Sequence, residues 1–143
     1  MDNLTSAQRS LCMSRVRNAN TGLEMLLRRE LHRQGLRYVL HRRDLAGTPD
    51  IVFTTAKVAV FVNGDFWHGF GFNRWENRLS PFWRQKIARN RHRDKSNSRK
   101  LRRSGWRVIT IWQHQLKRDP DGCVDRVAKR VRSLTRAQRV KKH

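Results

Sequence analysis

Apolar residues mark out the elements of this chain before any composition is considered. Leu23, Leu26, Leu27 and Leu31 recur at the three- and four-residue steps of one helix face, and Gly35 follows as a stop. Thr21 and Glu24 stand three apart at the start of that run, the spacing of a capping box. Upstream, residues 1–20 read as a basic arm with one short helix over 5–17, whose large apolar residues are Leu11, Met13 and Val16. Downstream the period shortens. Residues 38–40 suit a strand, Gly47-Thr48-Pro49 a turn, and Asp50-Ile51-Val52-Phe53 a short buried strand. Thr54-Thr55-Ala56-Lys57 then turns the chain into Val58-Ala59-Val60-Phe61-Val62, a β-branched run too short for a typical helix and suited to a central strand.

Residues 63–78, rich in Gly, aromatics and Asn, predict an irregular segment. Ser80-Pro81 places a capping Ser before a Pro at the first helical position, and predicts a long helix to about Arg103, closed by Gly105. Residues 106–112 alternate as a strand, and Asp119 or Asp121 opens a last helix carrying Val124, Val127, Val131 and Leu134. The basic tail, 136–143, is expected to fray. The order α-α-β-β-β-α-β-α predicts one α/β domain over residues 1–143, a mixed sheet containing a hairpin and flanked by helices. Such a fold leaves function to be argued from the site.

Charge narrows the partners. The chain has 143 residues with 33 Lys plus Arg against 11 Asp plus Glu, a formal net charge of +22. A domain this basic calls for a polyanion, and nucleic acid is the usual one. A disordered basic protein would share the charge, but five Trp and six Phe, clustered along the chain, argue for a packed domain. The longest purely apolar run, residues 58–62, is far short of a membrane span, and Asp2, Arg9, Arg15 and Arg17 interrupt any export signal. Cys12 and Cys123 therefore read as free thiols in a reducing cytoplasm.

Among so few acids, three positions invite chemistry. Asp50 follows Pro49 at the start of a buried strand, where an acid is either a turn residue or a metal ligand at the sheet edge. A carboxylate is the hard oxygen donor that Mg²⁺ prefers, and phosphodiester hydrolysis commonly uses that ion. Asp94 shares a helix face with Ile87 and Leu101 at seven-residue steps, so it points where the apolar residues point. It is either a buried partner of an Arg or a carboxylate that orients a catalytic group. His68 ends Asn63-Gly64-Asp65-Phe66-Trp67-His68, where the central strand gives way to a Gly-containing loop. A lone His is most often ordinary, yet imidazole can take a proton from water attacking phosphorus. Phe66, Trp67 and Trp83 flank these residues, either as core or as rings that wedge between bases. The Arg-rich stretch 84–103 suits phosphate contacts, which give affinity without reading sequence.

In this order and spacing, Asn20-Thr21-Gly22-Leu23-Glu24, Gly47-Thr48-Pro49-Asp50-Ile51-Val52, Phe61-Val62-Asn63-Gly64-Asp65-Phe66-Trp67-His68, Phe82-Trp83 through Arg93-Asp94, and Gly105-Trp106-Arg107-Val108 through Trp112 resemble the very-short-patch-repair (Vsr) endonucleases. The resemblance covers roughly residues 5–116, and its Phe-Trp-His, Phe-Trp and Arg-Asp elements are specific. It implies a restriction-endonuclease-like fold and a Mg²⁺-dependent nick of double-stranded DNA beside the thymine of a T:G mismatch, left by deamination of 5-methylcytosine. A monomer working in the cytoplasm at the nucleoid would suit that task. Carried over, Asp50 would bind Mg²⁺ with help from the backbone carbonyl of Val62, and Glu24 would lie near the ion through water. His68 would be the general base, oriented by Asp94. Phe66, Trp67 and Trp83 would intercalate, with Met13 entering from the other groove. Two departures stand out. Where the family carries a structural zinc, this chain has Asp65, Phe70, Phe72 and His114, so no structural zinc is expected and the two Phe would form an apolar plug. Asn63 stands where the family tends to an ionisable residue and cannot act as an acid. Two other functions fit the same residues: a restriction-type or modification-linked endonuclease acting on paired DNA, and a non-catalytic basic DNA-binding protein.

Overall fold

The computed structural model describes residues 22–142, with side chains through residue 137. The N-terminal arm, with its expected helix, Met13 and Thr21, lies outside the described residues. Helix α1 covers residues 22–33 and buries Leu27 and Leu31 completely. It ends as α3 (Pro81–Arg103) does, in a left-handed glycine followed by an apolar residue. Leu36 N–H donates to Leu31 O at 3.1 Å past Gly35, and Trp106 N–H to Leu101 O at 3.0 Å past Gly105. Both glycines have positive φ, at 87° and 88°, and each helix thereby satisfies carbonyls its last turn would leave unpaired.

The sheet runs β1 (Val39–Leu40), β2 (Ile51–Phe53), β3 (Val58–Asn63), β4 (Arg107–Trp112) in spatial order. The first three are antiparallel, whereas β3 and β4 pair in parallel from Val58↔Arg107 to Asn63↔Trp112. A parallel pair needs a crossover, and α3 is its long element. The sheet is mixed and helices cover both faces, the α/β restriction-endonuclease-like arrangement expected from the sequence. On one face Ile51, Phe53, Val58, Val60, Val62, Ile109 and Ile111 pack with α1 and with Val124, Val127 and Val131 of α5 (Pro120–Lys142). On the other, Val52, Ala59 and Trp106 pack with Leu101 of α3. Complete burial of an Ile or Leu side chain stabilises by about 1.5–3 kcal/mol, so this two-sided burial explains why β2 and β3 are nearly unbroken apolar runs.

Capping chemistry sets the helix starts. Ser80 Oγ accepts from Trp83 N–H, with Pro81 at the first helical position. Asp119 repeats the device before Pro120, its Oδ1 accepting from Gly122 N–H at 3.0 Å, which places the last helix start at Asp119 rather than Asp121. That helix runs on to Lys142. Two short helices have no counterpart in the sequence pattern. Helix α2 (Phe72–Trp75) and a 3₁₀ turn (Glu76–Arg78) lie within the stretch expected to be irregular, and α4 (Gln113–Arg118) follows β4 directly. Four to six residues hold too few turns to show a period.

Candidate active site

Asp50 sits immediately before β2, and its backbone is tied on both sides. Its N–H donates to Val60 O at 3.0 Å and its carbonyl accepts from His41 N–H at 3.2 Å. Its side chain is tied as well, because Oδ2 accepts the Val62 N–H at 2.7 Å. The strand pairing thus consumes one carboxylate oxygen and leaves Oδ1 to face Glu24 of α1 and His41 at the end of β1. His41 Nδ1 lies 3.7 Å from Asp50 Oδ1, and His41 Nε2 lies 3.5 Å from Glu24 Oε1. One ligand atom from each of the three comes within 4.8 Å of the others. Glu24 Oε1 is buried and accepts no hydrogen bond among the described residues.

Electrostatics agree with that geometry. Burial pushes the Glu24 carboxyl above its ordinary value, and the neighbouring Asp50 charge pushes further, against the weaker pull of His41 and Arg28. Burial likewise raises Asp50, outweighing the Val62 N–H and the nearby His41, His68 and Arg28. Two partly desolvated carboxylates side by side lack positive charge. An orphaned carboxylate oxygen, a second one held open by its strand, and an imidazole fit a divalent cation. Val62 is seen here through its N–H.

His68 and Asp94 meet from elements 26 residues apart. His68 Nδ1 lies 2.6 Å from Asp94 Oδ2, each side chain about one-third exposed. A carboxylate only accepts, so Nδ1 carries the hydrogen and Nε2 of the neutral ring keeps its lone pair. The loop after β3 brings the His there. His68 N–H donates to Gly64 O at 3.1 Å and Phe70 N–H to Asp65 O at 2.8 Å, so the chain coils tightly against α3. Gly69 permits that approach: its φ is 69°, and a Cβ there would come within 2.9 Å of Ile87 and 2.6 Å of Arg91. Asn90 of α3 fastens the same loop, donating to Trp67 O at 2.9 Å. Asp94 does lie between buried Ile87 and Leu101 along the helix, but it faces a cleft rather than the apolar core. That cleft, about 490 Å³, is lined by Asn63, His68, Asp94, Arg91, Lys95 and Arg99 among others. Asn63 is buried, on the last pair of the β3–β4 ladder.

Phe66, Trp67 and Trp83 form one triangle, with ring centroids 5.8–5.9 Å apart and edge-to-face tilts. Lys86 lies over both indoles, at 5.3 and 5.4 Å. Two further rings, to which the sequence alone assigned no role, extend the cluster. Trp75 stacks on Phe66 at 5.7 Å and 17°, and Phe82, 65% exposed, packs against Trp83. Trp75 escaped notice because α2 was not foreseen. Phe82 stood beside Trp83 in plain view.

At the opposite end of the loop, Asp65 Oδ1 lies 2.8 Å from His114 Nδ1. The Phe70 ring packs on His114 at 4.3 Å and on Trp112 at 5.0 Å, while Phe72 is buried with Arg91 over its face. Phe72 is thus buried apart from this pair, against Trp75 and Arg91, and Phe70 keeps 42% exposure. His41 is the site residue that sequence reasoning missed outright. Its only signal is register: with Leu40 opposite Ile51, His41 falls opposite Asp50.

Comparison with known proteins bears on this geometry. The family model for the DNA mismatch endonuclease Vsr matches residues 1–74. The chain is 43% identical over 117 residues to the type II nicking enzyme V.XorIIP of Xanthomonas oryzae pv. oryzae, covering 80% of this chain and 86% of that protein. It is 36% identical over 138 residues to the type II nicking enzyme V.NmeDIP of Neisseria meningitidis serogroup C, covering 92% and 91%. To the DNA mismatch endonuclease Vsr of Escherichia coli it is 32% identical over 114 residues, covering 78% and 72%.

Proposed function

The chain belongs to the Vsr family of DNA endonucleases, and from that premise we propose that it is a Mg²⁺-dependent enzyme that nicks one strand of duplex DNA beside a T:G mismatch. The observation that carries the hydrolytic reading is the His68–Asp94 hydrogen bond, with His68 within electrostatic reach of the buried Asp50 carboxyl. Asp50, with Glu24 and the Val62 carbonyl, would hold the cation, which when bound would supply charge to polarise the phosphodiester. His68 Nε2 takes the proton from the attacking water as the new P–O bond forms and the bond to the leaving sugar oxygen breaks. Asp94 holds the ring in the tautomer that accepts at Nε2 and stabilises the imidazolium that results. Asn63 donates a hydrogen bond to a phosphate or water and moves no proton. Arg91, Lys95 and Arg99 neutralise phosphates along the cleft.

Mismatch selection falls to the aromatic triangle, with Met13 as its counterpart from the other groove. A mispaired step costs less to unstack than a paired one, so a wedge of Phe66, Trp67 and Trp83 favours mismatched sites. One candidate hydrolytic site per chain, at His68 and Asp94, suits a monomer that cuts a single strand, working in the cytoplasm at the nucleoid. The relatives named as type II nicking enzymes favour a second reading, a modification-linked nickase that also cuts paired DNA. End-labelled T:G, U:G and fully paired duplexes, incubated with and without Mg²⁺, separate the two. A Mg²⁺-dependent nick confined to the mismatched duplexes is expected; equal cutting of paired DNA supports the second reading, and binding without any cut defeats both.

A further inference from the structure

His41 has no part in the scheme above, yet it faces both carboxylates of the cation site. Its ring nitrogens stand 3.5 Å from Glu24 Oε1 and 3.7 Å from Asp50 Oδ1. Both gaps exceed a hydrogen bond. One nitrogen of His41 lies within 4.8 Å of a carboxylate oxygen of both Glu24 and Asp50, so a small turn of the ring brings that single nitrogen to the roughly 3.0–3.6 Å that separates adjacent donors on an ion with metal–donor distances of about 2.0–2.2 Å. The fold aims this residue deliberately. His41 adopts φ 48°, a left-handed conformation uncommon for a side-chain-bearing residue, directly after the β1–β2 ladder, and its N–H is bonded to Asp50 O. The residue that leaves β1 thereby turns back over the one that enters β2. The side chain is half exposed, which leaves the ring room to turn toward an ion.

The geometry points to His41 as a nitrogen ligand that completes, with Asp50 and Glu24, a mixed oxygen–nitrogen site holding a first-row transition ion such as Mn²⁺ more tightly than Mg²⁺. This rests on the reading of Asp50 as the cation-binding residue. Mg²⁺ is a hard ion that gains little from imidazole, so it is held through the carboxylates; Mn²⁺ accepts the nitrogen as well. His41 therefore sets which ion the enzyme prefers, while the carboxylates determine that it takes one at all.

The test measures Mn²⁺ binding to the full chain by electron paramagnetic resonance, with spin-echo modulation to detect a directly bound nitrogen and Mg²⁺ affinity taken from competition. In the wild-type protein, bound Mn²⁺ should show nitrogen modulation. His41→Gln should abolish that modulation and weaken Mn²⁺ about tenfold or more, while changing Mg²⁺ affinity by less than about threefold. His68→Gln should retain the modulation, which assigns the nitrogen to His41. Persistence of the signal in His41→Gln, or equal weakening of both ions, overturns the role of His41 and leaves the cation site standing. Asp50→Asn with unchanged Mn²⁺ affinity overturns the site itself, and with it the metal-dependent mechanism.

Discussion

Two His–carboxylate pairs stand at the two ends of one loop. His68 meets Asp94 at 2.6 Å and His114 meets Asp65 at 2.8 Å, each through Nδ1, each about one-third exposed. By local chemistry they are the same object. Their surroundings differ. His68 lies within electrostatic reach of the buried Asp50 carboxyl and opens on a cleft with Arg91, Lys95 and Arg99. His114 lies at the start of α4 with the Phe70 ring against it, and its pair joins the loop after β3 to the chain after β4. An oriented imidazole becomes a base only where a substrate and a cation can reach it. Elsewhere the same hydrogen bond is a tie between two segments.

The largest effect should come from the residue that distinguishes the two ends. Asp50→Ala is expected to lower nicking by at least about 10³-fold, with duplex binding in a gel-shift assay unchanged within a few-fold. Cleavage that survives the substitution would make the two pairs equivalent after all. Next, His68→Gln should cost about 10²–10⁴-fold in kcat, with duplex binding unchanged within a few-fold. Asp94→Asn should show a smaller loss of about 10²-fold, since its carboxylate acts through the ring. His114→Gln and Asp65→Asn should leave kcat within about threefold and lower stability by roughly 0.5–1.5 kcal/mol, read as a fall in Tm. A rate loss at His114 comparable to that at His68 breaks the distinction. Gly69→Ala lies between the pairs. The backbone strain and the approach to Ile87 should cost about 1–3 kcal/mol and displace His68, lowering activity while Mn²⁺ binding at Asp50 persists.

The smallest effect is on stability against pH. Glu24 and Asp50 have ordinary values of 4.5 and 3.8, both raised in the folded protein. Between those values and the raised ones, the folded state binds more protons than the unfolded. Stability of the metal-free protein should therefore fall as pH rises through that window, and stay lower above it. Asp50→Asn should remove part of the loss, stabilising the metal-free protein at neutral pH by roughly 0.5–2 kcal/mol while abolishing cleavage. Saturating divalent cation should restore the wild type, since it binds the folded state alone. A metal-free stability that instead climbs through the carboxylate range would mean the two acids are already compensated by the protein.

Much of the scaffold was legible because its signals are local. Ser80-Pro81 and Gly105 bound α3, Gly35 closes α1, and the run from Val58 to Val62 has the composition of a strand buried on both faces. The seven-residue step from Ile87 to Asp94 singled out that acid, although it faces the cleft rather than the core, and the +22 charge pointed to a polyanion. Short helices were not legible, since α2 and α4 are held by what they touch more than by any period of their own. His41 was hidden for a different reason. Its meeting with Asp50 depends on the hairpin register, and a one-residue slip would have put another side chain there.

By itself, then, the sequence determined the long helices and the strands, the caps of those helices, the polyanionic partner and the kinds of side chain available for hydrolysis, because each of these is written within a few turns of chain. Only the tertiary structure decided which histidine opens on a basic cleft and which packs against Phe70, and that His41 lies close to Glu24 and Asp50. Those choices depend on strand register and on the desolvation that packing imposes, and both arise between residues that the chain keeps far apart.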